Sequence, residues 1–78
     1  MTIYTVCELD IDTGYILKVD PFVTLENAVK KALEIIKANV KAEEYIFRCE
    51  QEIIKSTRIG MTYDDPCGLV RVYTKEAI

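Results

Sequence analysis

The side chains placed where they could do chemistry are two acidic pairs, Asp10/Asp12 in DIDTGY and Asp64/Asp65 in YDDPCG, and three thiols, Cys7, Cys49 and Cys67. Asp10 and Asp12 invite a comparison with a calcium loop. An EF-hand needs oxygen ligands at its first, third and fifth positions, glycine at the sixth and a bidentate Glu at the twelfth. Counted from Asp10, the fifth position is Gly14, the sixth Tyr15 and the twelfth Pro21. The ligand set is incomplete and the glycine comes one place early. A hairpin tip accounts for each residue instead: Asp10 turns the chain through its carboxylate, Thr13 supports it, and Gly14 supplies a positive φ.

Two acidic pairs could still build one metal or acid–base site if the fold brought them together. With one crossing of the domain per element, the DIDTG tip lies at one pole and residues 63–68 at the other. The expected separation is a strand length, on the order of 15–20 Å, too far for shared coordination. No metal and no cofactor is therefore expected.

Nucleophilic chemistry is narrowly bounded. The chain has no histidine, which excludes Ser-His-Asp and Cys-His arrangements and all histidine-ligated metals. Gly14, Gly60 and Gly68 are isolated, so there is no phosphate cradle. The cysteines are odd in number, widely spaced and free of CxxC, as for reduced thiols in a cytoplasmic protein. Cys67 alone sits in a loop, where Asp64 and Asp65 oppose thiolate formation. The expectation is a protein that is not an enzyme.

Seventy-eight residues, half of them apolar and 29% charged, make one soluble domain spanning 1–78. The net charge of −3 disfavours nucleic acid, which needs a basic stripe. No apolar run approaches the ~20 residues needed to cross a bilayer. Met1–Asp10 lacks the basic start of a signal peptide and is interrupted by Glu8 and Asp10. A cytoplasmic location without membrane attachment follows as the expectation.

The positioning elements are read from periodicity. TIYTVCELD alternates as a strand with Ile3, Cys7 and Leu9 on one face and Tyr4, Val6 and Glu8 on the other. YILKVD is its hairpin partner, ended by Pro21. Thr24 caps a helix over LENAVKKALEIIKANV, whose Leu25, Ala28, Val29, Ala32, Leu33, Ile36 and Val40 form one apolar stripe. EEYIFRCEQEIIKSTRI fits either a helix or a strand. Its aromatic, β-branched start and the match of Glu50 and Glu52 to Arg71 and Lys75 of LVRVYTK favour a strand. The expected architecture is α+β, a small antiparallel sheet with one helix on one face (ββαββ); the alternative, ββααβ, puts a second helix in place of the third strand.

One helix covers one side of such a sheet. On these registers the open side carries Tyr4, Val6, Ile16, Arg48, Arg71 and Tyr73, a mixture of apolar, tyrosine and arginine side chains suited to anchoring an interface. Met61, Tyr63, Asp64 and Asp65, in the long loop STRIGMTYDDPCG, form a second candidate contact patch. The alternative for both is an ordinary solvated surface.

In size, in its lack of catalytic apparatus and in its hairpin–helix–strand order, the chain looks like the small single-domain accessory proteins of phages and mobile elements. Many of those bind and block a host protein, components of anti-phage defence among them. The resemblance implies a non-enzymatic protein-binding module acting by surface occlusion on another protein. The alternative is a self-associating structural or small-ligand-binding module, with a homodimer as its form.

Overall fold

The structure, a computed structural model, describes residues 1–76. Its elements run β1 (Thr2–Leu9), β2 (Ile16–Phe22), α1 (Leu25–Asn39), α2 (Glu43–Arg58), β3 (Tyr63–Asp64) and β4 (Val70–Glu76). The four strands form one antiparallel sheet in the order β2-β1-β4-β3, so the fold is α+β.

The hairpin forms on the local chemistry of its tip. The Asp10 carboxylate accepts the Asp12 N–H at 2.9 Å and the Thr13 hydroxyl accepts the Tyr15 N–H at 3.2 Å. Gly14 takes φ 78°, a left-handed conformation that costs glycine nothing. Opposite the Glu8–Leu9 step, β2 carries one extra residue, Leu17, as a bulge. Pro21 does not end β2, as expected from sequence, but pairs with Thr5 inside it. The strand lies at the edge of the sheet, where a missing N–H is tolerated.

α1 begins where Thr24 caps it, its hydroxyl accepting the Asn27 N–H at 3.3 Å. Ala28, Val29, Ala32, Leu33, Ile35 and Ile36 are its buried residues. Residues 43–58 form a second helix, not the strand preferred from sequence, and the ββααβ alternative is the nearer description, with β3 added to it. Helix wins because Cys49, Ile53 and Thr57 recur every fourth residue and are all buried, with Tyr45, Ile46 and Ile54 packed against the same core, while Glu, Gln, Lys and Arg residues take most of the other positions. Glu43 and Glu44 at its start and Lys55 and Arg58 at its end also suit the helix dipole.

Both helices lie on the same side of the sheet. The core joins Val6, Val70 and Val72 of the strands to Ala32, Leu33 and Ile36 of α1 and Cys49 and Ile53 of α2. Opposed residues share a face, and Val6 opposes Val72 while Tyr4 opposes Thr74. The helix-covered side therefore holds Tyr4 and Val6. The open side holds Ile3, Thr5, Cys7 and Leu9 of β1, flanked by Val19 and Pro21 of β2 and by Arg71, Tyr73 and Lys75 of β4.

The topology corrects the argument about poles. The Leu9 N–H donates to the Leu69 carbonyl at 3.0 Å, so the 65–69 turn lies beside the hairpin tip, not at the far end. The sequence reading missed β3, and the stretch from the end of α2 through β3 carries the chain back to the first pole.

Candidate functional site

The most concentrated polar chemistry surrounds Asp65. A carboxylate is rarely buried unless its oxygens are occupied, and Asp65 is 6% exposed. The Tyr45 hydroxyl donates to Oδ1 at 2.7 Å and the Tyr63 hydroxyl at 3.2 Å. The Cys49 thiol donates to the same oxygen at 3.7 Å, and Oδ2 accepts the Leu69 N–H at 3.1 Å. Three elements are brought together: α2 supplies Tyr45 and Cys49, β3 supplies Tyr63, and the following turn supplies the acceptor. The turn is closed further by Asp65 N–H to the Val70 carbonyl and Gly68 N–H to the Asp65 carbonyl, at 3.0 and 2.8 Å.

The two hydroxyls and the thiol are engaged as donors to Asp65. Burial, the largest cause, pushes the Tyr45 and Tyr63 phenols well above their ordinary value, and hydrogen bonds to neighbouring thiols and Asp65 push the same way. Burial also raises the Cys49 thiol, against the lowering effect of the two tyrosine hydroxyls. All three stay protonated as donors to one carboxylate, an arrangement that ties the turn to α2.

A pH dependence follows. An unfolded chain releases phenol protons near pH ~10, whereas the folded chain retains those of Tyr45 and Tyr63. The stability they contribute is thus fully present below the unfolded value and is lost as pH rises above it. The urea midpoint is expected to fall between about pH 9 and pH 11, and a Tyr45→Phe/Tyr63→Phe variant should show a smaller fall. An equal fall in the variant would contradict the assignment.

The other acidic residues are committed separately. Asp10 binds the Asp12 N–H, and Asp64 pairs with Arg71 Nε at 2.6 Å on the surface. Among the described residues no group of three or more His, Cys, Asp or Glu side chains is placed to hold a metal ion. Cys7 lies on the open side between Val19 and Arg71, its thiol raised by burial and partly offset by the guanidinium; Cys67 is exposed.

The sequence-derived contact residues divide. Arg71 and Tyr73 share the open side of the sheet, and Ile16 is half exposed at the edge strand. Tyr4 and Val6 do not belong with them: they face the helices, and Val6 is 1% exposed. Arg48 sits on α2, where it borders a cleft of about 500 Å³ with Glu52, Ser56 and Thr62. In the second patch Met61 and Asp64 are exposed, but Tyr63 and Asp65 are buried in the polar cluster. Tyr45 and Cys49 went unnoticed as partners of Asp65. Their signal was one helical turn of spacing, visible only once residues 43–58 are read as a helix.

Exposed apolar side chains concentrate on one stretch. Ile11, Tyr15, Ile16, Leu17, Val19 and Val23 are each at least half exposed, and all belong to the hairpin tip, β2 or the residue just after it. A groove of about 760 Å³ between the helices is lined by Leu25, Val29, Leu33 and Ile54 under a mixed rim of Glu and Lys side chains. Among the described residues no helix is long and apolar enough to cross a membrane. Comparison with protein-family models, curated proteins and solved structures finds no match.

Proposed function

We propose that this chain is a non-enzymatic protein-binding module that acts by covering part of another protein's surface. One observation carries the reading: both helices pack on one side of the sheet, and on the side without helices Val19 and Lys75 stay exposed around the buried Thr5, Cys7 and Leu9 of β1, continuous with the exposed apolar hairpin. That side combines Ile3, Val19 and Tyr73 with Arg71 and Lys75. Apolar centres with tyrosine and arginine are the composition of interface anchors. The polar cluster supports the same reading, because its donors and acceptor are spent on one another. Inhibition by occlusion, in the manner of the small accessory proteins of phages and mobile elements, is the form of this activity we propose.

The test is capture of a stoichiometric partner from the native cell, followed by reconstitution with that partner purified. Tyr73→Asp and Lys75→Glu, on the open side, are expected to lose the partner, while Lys30→Glu on the exposed surface of α1 keeps it. Failure to recover any partner at several salt concentrations would count against the proposal. So would a purified partner that binds all three variants equally.

A further inference from the structure

The sheet has two edges, and they are not equivalent. β3 is two residues long and its Asp64 is paired with Arg71, too short a segment to template another strand. β2 is seven residues long, lies at the opposite edge and exposes Ile16, Leu17 and Val19 by 51, 61 and 50%. Lys18 and Asp20 flank Val19 on the helix-side face of the same strand.

We propose that this edge pairs with β2 of a second copy of the chain, antiparallel, about a twofold axis through Val19. In that register Lys18 of each copy opposes Asp20 of the other, forming two opposite-charge pairs. Val19 meets Val19 and Leu17 meets Pro21, all on the open side, which withdraws part of the exposed apolar row of β2 from water; the bulge at Leu17 ends the pairing before Ile16. Axes through Lys18 or Asp20 would set like charges directly opposite, so the charge pattern selects this register. Glu8 already opposes Lys18 within the chain, and the junction extends that pair into an alternating Glu8–Lys18–Asp20 row.

The helices leave room for the junction. α1 packs more on β1 than on β2. Three strand spacings of about 4.8 Å therefore separate α1 from its counterpart, about 14 Å in all. That exceeds the about 8–10 Å of packed helices, so the two helix layers do not collide. The product is a continuous eight-stranded sheet with all helices on one side. Pro21 offers no N–H, so the junction depends chiefly on side-chain pairing, and dimerisation is expected to vary with concentration.

The proposal goes beyond the open-side reading and fails separately from it. Sedimentation or light scattering of the full chain up to about 1 mM should show a monomer–dimer equilibrium. Lys18→Asp and Asp20→Lys should each weaken dimerisation by about tenfold or more, since each turns both cross-strand pairs into like-charge pairs. The double variant K18D/D20K should restore it to within about threefold of wild type. Tyr73→Asp, on the open side, should leave dimerisation intact. Circular dichroism and melting of each variant separate lost pairing from lost folding, and rescue by the double variant does so independently. A monomer at about 1 mM, or a double variant no better than the singles, would overturn the proposal. Loss of the dimer in Tyr73→Asp alone would overturn it too, by placing the contact on the open side.

Discussion

Asp65→Ala is expected to cost about 3–5 kcal/mol of stability, a large part of what a chain of this size has, at ~0.05–0.15 kcal/mol per residue. The substitution strips the acceptor from two tyrosine hydroxyls and from the Leu69 N–H. Hydrogen bonds to a charged group contribute about 1.5–3 kcal/mol each, less when they are removed together because the freed hydroxyls gain some hydration. Asp65→Asn keeps the shape and one acceptor oxygen, and should cost about half as much. Tyr63→Phe should cost about 1 kcal/mol, because it removes one donor and leaves Asp65 its other partners. Urea denaturation of the four proteins measures the series. A loss below about 1 kcal/mol in Asp65→Ala would mean that the turn holds to α2 without its carboxylate.

The second large effect distinguishes the two sides of the sheet. Val6→Asp places a carboxylate at a position 1% exposed, inside the core cluster that holds Val72, Ile36 and Ile53. The expected loss exceeds about 4 kcal/mol, enough to leave the chain largely unfolded at room temperature. Val19→Asp puts the same group on the open side at a position 50% exposed. Its stability should stay within about 0.5 kcal/mol of the parent. Circular dichroism with urea titration reads both, and similar losses in the two variants would mean that the helices do not select one side.

The reason this pair of substitutions is informative also explains what was legible in the sequence. β1 is apolar on both sides: Ile3, Cys7 and Leu9 alternate with Tyr4 and Val6. Alternation identified the strand, but nothing within it decided which side the helices would take. The decision comes from β4, where Val70 and Val72 are fully buried and Val72 opposes Val6. The hairpin and α1 were readable because their signals are local, an Asp-Thr-Gly tip and an apolar stripe behind a threonine cap. α2 was not, because Glu50 and Glu52 suit a ladder against Arg71 and Lys75 as well as they suit the wet side of a helix. That one ambiguity hid Tyr45 and Cys49 from Asp65. The two-residue β3, too short to leave a periodic trace, reversed the expected pole of the second acidic pair.

The position of β1 in the sheet sets the timing of folding. Residues 2–9 leave the ribosome before residues 70–76, yet that later segment is one of their two hydrogen-bonded neighbours. Until that segment emerges, the strand destined for the middle of the sheet is itself a naked margin beside an incomplete helical layer, a condition that invites aggregation. Because closure joins stretches far apart in sequence, collapse is expected to be late and all-or-none rather than progressive during translation.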